Sequence, residues 1–172
     1  MNIDKKTIIM ADDSLTNLTI GFNALEQHYN IITVNSGARL LKTLEKKIPD
    51  LILLDVDMPE MSGFETIALL KKNKEYADIP VIFLTAKDDT ASELEGLSLG
   101  AADYITKPFS PALLHKRIEL HLLLESRERE LKLQNAILGA LIDLVESRDY
   151  ATGGHIADAY YALVGEVKCP YL

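Results

Sequence analysis

The chain has 172 residues, of which 18 are basic and 26 acidic, so its net charge is −8. This balance argues against a protein that holds nucleic acid through clustered Lys and Arg, and the single cysteine, Cys169, excludes a disulfide framework or a cysteine-based zinc site. No apolar run approaches the roughly 18 residues of a membrane helix and no signal-peptide pattern is visible, so we expect a cytoplasmic protein without a membrane segment.

Five short apolar runs alternate with segments of helical spacing over the first 110 residues. The predicted strands are residues 7–11, 30–34, 50–54, 81–85 and 103–106, and the predicted helices between them are residues 15–28, 38–47, 64–73 and 90–99. Regular alternation of strands and helices is typical of a parallel α/β sheet. Because runs such as LILLD and VIFLT are apolar at nearly every position, we expect strands that are buried on both faces.

A long helix is predicted over residues 112–145, with Ser110 as its N-cap and Pro111 in its first turn. Ten positions at alternating spacings of four and three form what we call the seam: Leu113, Arg117, Leu120, Leu124, Arg127, Leu131, Gln134, Leu138, Leu141 and Val145. This period favours a coiled-coil homodimer, in which polar seam residues fix register and oligomeric state. The alternative is one helix packed on its own domain.

Chemically distinctive residues stand where the predicted strands end. Asp12 and Asp13 follow the first strand, Asp55 follows the third, Thr85 ends the fourth and Lys107 follows the fifth. Ligands of open parallel sheets bind outside the carboxyl ends of the strands. Taken singly, each residue has an ordinary explanation as a cap, a strand residue or a surface charge. As a set, they are expected to meet at one edge of the sheet.

Three clustered carboxylates repel one another and raise each other's pKa unless a cation lies among them. Oxygen ligands suit Mg²⁺ or Mn²⁺. A carboxylate beside such a metal can act as a nucleophile toward phosphorus and form an aspartyl phosphate. A nearby ammonium and hydroxyl would hold the other phosphoryl oxygens, because phosphoryl transfer depends mainly on positioning and charge neutralisation.

The segments ADDS, LLDVDMPEMSGFE, VIFLTA and DYITKPFSP resemble those of the CheY-like receiver domain of two-component response regulators, over about residues 5–122. The resemblance implies a (βα)5 flavodoxin-like, doubly wound α/β fold with strand order 2-1-3-4-5. It implies that Asp55 accepts a phosphoryl group from a sensor histidine kinase or a phosphotransfer protein. It also implies a Mg²⁺ (or Mn²⁺) site formed by Asp12, Asp13, Asp55 and the backbone carbonyl of Asp57.

The same resemblance implies a switch. Thr85 and Lys107 would contact the phosphoryl group, and a cis peptide would join Lys107 to Pro108. As Thr85 moves toward the phosphoryl group, Tyr104 would turn inward, and the face made by helix 4, strand 5 and helix 5 would change. Because helix 5 continues into the seam, such a change could alter dimer geometry and control an output domain.

The access of water to the phosphoryl group depends on the residues around it. Ala86 is small, which would leave that group open to water. We hypothesise that Asp57 and Lys87 face each other across this opening and tune the phosphoryl lifetime.

The last part of the chain carries a second resemblance. Residues 146–156, ESRDYATGGHI, are similar to the start of an HD-GYP domain, the class of cyclic-di-GMP phosphodiesterases. The resemblance makes His155 a metal ligand in family members, and members with a three-metal centre have Glu where this chain has Ala151. The HD pair and the GYP motif are absent up to Leu172. We therefore interpret His155 as a loop or helix-start residue and expect no phosphodiesterase activity from this chain.

These patterns predict a receiver domain over residues 1–122, a helical coiled-coil linker over 123–147 and the start of an output domain over 148–172. We expect no enzyme activity beyond self-phosphorylation and self-dephosphorylation. The alternatives are the regulatory part of a cyclic-di-GMP phosphodiesterase, a stand-alone adaptor or phosphate shuttle, and a hydrolase of the aspartyl-phosphate type with Asp57 as general acid.

Overall fold

The computed structural model describes residues 5–86 and 90–148, with the backbone alone described for 90–93 and 145–148. It contains, in chain order, β1 (Thr7–Ala11), α1 (Leu15–Leu25), β2 (Asn30–Val34), α2 (Gly37–Leu44), β3 (Leu51–Asp55), α3 (Gly63–Lys72), β4 (Val81–Thr85), α4 (Thr90–Ser98), β5 (Asp103–Thr106) and α5 (Pro111–Arg148). The chain divides into two compact units, Met1–Glu125 and Ser126–Leu172. No helix within the described ranges is long and apolar enough to cross a membrane.

The five strands form one parallel sheet in the order β2-β1-β3-β4-β5, which confirms the predicted fold. Every residue of β1, β3 and β4 is buried, as expected for central parallel strands with helices on both faces. One face packs against α2 and α3, with Phe83 and Ile67 in the shared core. The other packs against α1 and α5, with Met10 and Leu114 in the shared core. Both faces of the sheet are therefore covered, and the functional groups are left to its edges.

The first two helices end earlier than their sequence patterns predict. We expected α1 to reach residue 28, but it ends at Leu25, because the N–H groups of His28 and Tyr29 both donate to the Leu25 carbonyl at 3.0 Å and form a tight turn. Similarly, α2 ends at Leu44 instead of residue 47, and a turn closes on the Thr43 carbonyl. Apolar spacing continues past both ends, so it does not mark where the helical hydrogen bonds stop.

The third strand begins one residue later than predicted. Asp50 precedes β3. Its backbone N–H donates to the Thr7 carbonyl at 2.8 Å, and its carboxylate accepts from the Thr7 N–H at 2.8 Å and from Lys6 Nζ at 2.9 Å. The shift places Asp55 at the last position of β3. The predicted bounds of α3 and α4 differ from the observed ones by one residue.

Helix α5 is longer at both ends than the predicted 112–145. Its fully buried residues, Leu114 and Ile118, pack in the core. The seam leucines within the described residues are instead 45–58% exposed: Leu113, Leu120, Leu124, Leu131, Leu138 and Leu141. The side chain of Val145 lies outside the described residues. The seam and the core-facing stripe are therefore different faces of α5.

Candidate functional site

Three carboxylates meet at the carboxyl ends of β1 and β3. Oxygen atoms of Asp12, Asp13 and Asp55 all lie within 4.8 Å of one another. Asp12 is fully buried and Asp55 is 5% exposed, whereas Asp13 is exposed. Because β1 and β3 are neighbours in the sheet, their ends bring these residues together. The result is an acidic cluster that is closed on one side and open to solvent on the other.

Lys107 neutralises part of this cluster. Its Nζ lies 2.6 Å from Asp12 Oδ2 and 3.0 Å from Asp55 Oδ1. The peptide between Lys107 and Pro108 is cis, and the Lys107 N–H donates to the Thr85 carbonyl at 2.6 Å. The loop after β5 thus directs one ammonium group between two buried carboxylates.

Asp55 is in an environment that opposes its ionisation. Burial raises the pKa of Asp55 above its usual value, and the hydrogen bond from Lys107 offsets part of that rise. The negative charge of Asp12 raises the pKa further, whereas the Lys107 charge and a hydrogen bond from the Asp57 backbone lower it. The net direction is upward, so an additional cation among these oxygens would favour the ionised carboxylate.

The other oxygen of Asp12 is also occupied. Asp12 Oδ1 accepts from the Ser14 N–H at 2.9 Å and from Asn17 Nδ2 at 3.0 Å. The sequence reasoning did not identify Asn17 or the Ser14 backbone as part of the site. The bond to Ser14 has a recognisable signal, because an aspartate commonly accepts from the N–H two residues later. The bond to Asn17 depends on how α1 is oriented.

The backbone at the start of α3 lies in close contact with the backbone at the end of β3, at Asp55. The Gly63 N–H donates to the Val56 carbonyl at 2.9 Å, and a side chain at Gly63 would collide with the Asp55 carbonyl oxygen. Ser62 and Glu65 form a capping box that starts the helix at this point. Only glycine therefore allows α3 to begin so close to the end of β3.

The remaining predicted site residues occupy nearby positions. Thr85 is fully buried and ends β4, one residue beyond Leu84, which pairs in register with Asp55. Tyr104 packs edge-on against Phe83, with a ring-centroid distance of 6.2 Å. Its hydroxyl is buried and has no hydrogen-bond partner among the residues that the structure describes.

Three residues that sequence reasoning singled out, Lys87, Ala151 and His155, lie outside the described residues. Asp57 is exposed next to the cluster, and its contact with Asp55 is made through the backbone. The proposed roles of Asp57, Thr85 and Tyr104 therefore stay predictions.

A cavity of about 360 Å³ opens beside the cluster. Its lining residues come from α1, the end of β4 and the loop after β5: Asn17, Ile20, Ala86, Lys107, Pro108 and Phe109. Lys107 lines this cavity and also contacts Asp12 and Asp55, so the cavity lies next to the acidic cluster.

The donor atoms of the cluster fit a hard divalent cation. The three residues contribute carboxylate oxygens, which Mg²⁺ and Mn²⁺ prefer. Mg²⁺ usually binds one or two carboxylates, keeps several waters and shares a phosphate oxygen. The exposed side of the cluster, at Asp13, leaves room for those waters. The donor set of the site therefore fits a divalent cation.

Comparisons of the sequence with known proteins identify one family. The family profile of the response regulator receiver domain matches residues 8–119. A probable cyclic di-GMP phosphodiesterase of Vibrio cholerae is 39% identical and covers 90% of this chain, which spans 40% of that protein. The alkaline phosphatase synthesis transcriptional regulatory protein PhoP of Bacillus subtilis is 37% identical over 68% of this chain and 48% of its own length.

Solved structures agree with these sequence matches. The chemotaxis protein CheY4 of Vibrio cholerae superposes with a TM-score of 0.64 at 28% identity, covering 67% of this chain and 97% of its own. The chain spans about half or less of the curated relatives named above. What those relatives do as whole proteins therefore involves segments beyond the part matched here.

Proposed function

The chain belongs to the response regulator receiver family, and on that basis we propose that Asp55 accepts a phosphoryl group from a sensor histidine kinase or a phosphotransfer protein. Phosphorylation of an aspartate is general in this family, whose receiver domains are regulatory. The observation that carries the assignment is the contact of Lys107 Nζ with both Asp12 and Asp55 inside a cluster of three carboxylates. Of the three, Asp55 is the acid at the end of the central strand β3.

In the proposed transfer, a carboxylate oxygen of Asp55 attacks the phosphorus of a phosphoimidazole. A P–O bond forms, the P–N bond breaks, and the imidazole leaves with the electron pair and is then protonated. Bound Mg²⁺ would supply charge neutralisation, held by Asp12, Asp13, Asp55 and the Asp57 carbonyl. We assign Lys107 and Thr85 to the other phosphoryl oxygens, because both lie at the same edge of the sheet.

Removal of the phosphoryl group requires water to attack phosphorus from the open side. The cavity beside Lys107 and the exposed, small Ala86 support that route. The attack breaks the bond between phosphorus and the Asp55 oxygen and returns the free carboxylate and inorganic phosphate. Asp57 and Lys87 remain our proposed influences on this rate.

The proposed switch passes from Tyr104 to α5 through β5. Asp103, next to Tyr104, accepts from Arg117 Nη1 and from His121 Nε2, both at 3.0 Å. Burial opposes ionisation of Asp103, but His121, the Tyr104 N–H and Arg117 outweigh it, so the pKa of Asp103 is lowered. A displacement of β5 would therefore be transmitted to α5. Arg117, one of the polar seam residues, therefore forms its ion pair with Asp103 of the same chain.

We further propose that two copies associate through the seam and that phosphorylation at Asp55 alters this association. Support comes from the exposure of six seam leucines, because an apolar stripe at this period is stable when another helix covers it. We keep 1–122 as the receiver, 123–147 as the linker and 148–172 as the start of an output domain. We propose a cytoplasmic location.

A second candidate function is the regulatory part of a cyclic di-GMP phosphodiesterase. The Vibrio cholerae relative favours it, since the match covers 90% of this chain and so extends past the receiver region. A stand-alone phosphate shuttle is the alternative. Phosphodiesterase activity in a chain extended by the downstream coding sequence would favour the regulatory part of a phosphodiesterase. A natural stop codon after Leu172 would favour the phosphate shuttle.

The central proposal is tested by mass spectrometry after incubation with Mg²⁺ and acetyl phosphate. We expect wild type to gain one phosphoryl mass, Asp55→Asn to gain none, and the control Asp78→Asn, an exposed acid on another surface, to behave as wild type. A wild-type protein that gains no mass, or an Asp55→Asn protein that gains as much, would contradict the assignment.

A further inference from the structure

We propose that Asn17 is a positioning residue that holds the carboxylate of Asp12 in the orientation needed to bind a divalent cation. This inference rests on the proposed function, because it takes the acidic cluster as the cation site. It adds a residue that itself touches neither the phosphoryl group nor the cation.

The two oxygens of Asp12 have different partners. Oδ2 accepts from Lys107 Nζ at 2.6 Å, and the same ammonium lies 3.0 Å from Asp55 Oδ1. Oδ2 is thus the oxygen on the side of Asp55. Oδ1 accepts from the Ser14 N–H and from Asn17 Nδ2. The carboxylate therefore presents Oδ2 to the cluster while neutral donors occupy Oδ1.

The position of Asn17 follows from the start of α1. Ser14 is the N-cap of this helix, and its Oγ accepts from the Asn17 N–H at 3.4 Å. The backbone of Asn17 is thereby fixed three residues into the helix, and its half-buried amide reaches back five residues to Asp12. Ser14 and Asn17 act as two points that keep the carboxylate plane from rotating.

A neutral amide is suited to this role. An additional ammonium at this position would compete with a divalent cation for Asp12, and an additional carboxylate would repel it. The amide donates a hydrogen bond without changing the charge of the cluster. Because Asp12 is fully buried, its carboxylate depends on protein donors for its hydrogen bonds, and a variant that fills the volume of Asn17 removes one of them.

Loss of an outer-shell hydrogen bond to a metal ligand typically weakens metal affinity by about 10- to 100-fold. Since the Ser14 N–H would still donate to Oδ1, we expect the lower end of that range. Asn17→Leu, which preserves volume without a donor, should weaken Mg²⁺ binding about tenfold. Asn17→Ala is a second variant that favours the helical backbone.

Isothermal titration of the full chain with MgCl₂, without a phosphodonor, measures this affinity directly. The matched control is Asn23→Leu, an exposed asparagine on the same helix, which should bind Mg²⁺ as wild type does. If both Asn17 variants lower the Tm in EDTA yet bind Mg²⁺ as tightly as wild type, Asn17 has only a structural role and the inference is overturned.

Asp13→Asn separates this inference from the proposed function. If wild type does not bind Mg²⁺, or Asp13→Asn binds it equally well, the cation site itself is wrongly assigned. If Asp13→Asn loses affinity and the Asn17 variants do not, the site stands and only the role of Asn17 is wrong. If both lose affinity while Asn23→Leu does not, the positioning role is supported.

Discussion

Lys107 donates to a carboxylate that has no access to solvent: its Nζ lies 2.6 Å from Oδ2 of the fully buried Asp12. The ammonium compensates a charge that would otherwise be costly to bury. It also occupies the side of Asp12 that a bound cation would use. We therefore expect Lys107 to stabilise the fold without the cation and to compete with the cation for Asp12 when it binds.

Lys107→Met should therefore have opposite effects on stability and on cation affinity. In EDTA we expect the free energy of unfolding to fall by about 3 kcal/mol, because a buried carboxylate loses its ionic partner. Saturating Mg²⁺ should restore more stability in the variant than it adds to wild type. Thermal unfolding with EDTA and with Mg²⁺ measures both effects.

The control for this prediction is Lys6→Met. Lys6 pairs with Asp50 at 2.9 Å, but its side chain is 57% exposed. Such surface pairs contribute about 0–1 kcal/mol. An equal loss in the two variants, or an equal Mg²⁺ response in Lys107→Met and wild type, would contradict the dual role.

Gly63→Ala should damage the site through the backbone. The new methyl group would collide with the Asp55 carbonyl oxygen, which cannot move without shifting the end of β3. We expect a loss of about 2 kcal/mol in the free energy of unfolding and slower phosphorylation by acetyl phosphate. Gly21→Ala provides the comparison, because its methyl group meets only the flexible end of Met10. Similar losses in the two variants would argue against a special constraint at Gly63.

Two tyrosines should respond oppositely to removal of their hydroxyl groups. The Tyr104 hydroxyl is buried without a partner in the described part of the chain, so Tyr104→Phe should raise the free energy of unfolding by about 1 kcal/mol. The Tyr29 hydroxyl lies 3.1 Å from His115 Nδ1, so Tyr29→Phe should lower it by about 1 kcal/mol. Chemical denaturation of both variants tests the contrast, and changes of the same sign would contradict it.

Stability should decline in mild acid because of His115. Burial and the neighbouring His28 lower the pKa of His115 below its usual 6.5, with a smaller effect of Lys116 and an opposing one of Glu119. The unfolded chain then binds a proton more readily than the folded chain, so stability is lost as the pH falls through 6.5 toward the lower folded value.

Measuring Tm at about pH 7.5 and about pH 5.5 tests this coupling. His115→Gln should show a smaller decrease than wild type. His28→Gln should show a decrease in Tm between those of wild type and His115→Gln, because it removes the ring that stacks on His115 at 4.2 Å. The same decrease in all three proteins would assign the acid sensitivity to other groups.

The proposed dimer depends on the seam leucines. Replacing Leu131 and Leu138 by Lys removes two apolar contacts from each chain, at about 2 kcal/mol for each buried leucine. We expect the double variant to be monomeric by sedimentation analysis. Leu133→Lys is the control, since Leu133 is 62% exposed but lies outside the seam. A monomeric wild-type chain at high concentration would contradict the prediction.

The sheet and the acidic edge could be predicted because both follow from local pattern and topology. Asp12, Asp55 and Lys107 end different parallel strands, so any correct sheet brings them to the same edge. The contacts that α5 makes with the turn after α1 and with β5 could not be predicted in this way. The stack of His28 on His115 and the bond of Arg117 to Asp103 depend on how α5 is rotated against the sheet, which apolar spacing specifies only coarsely.

The pairing of Thr85 with Thr106 has a consequence for the folding of this protein. Side chains alternate between the two faces of a strand, so a slip of β4 by one residue would point the Thr85 hydroxyl to the opposite face. The Lys107 N–H would also lose its acceptor, the Thr85 carbonyl. A chain with misaligned strands would keep every site residue in its sequence and still lack the site. Under the proposed function, the fraction of a preparation that gains a phosphoryl group would therefore also report correct strand alignment.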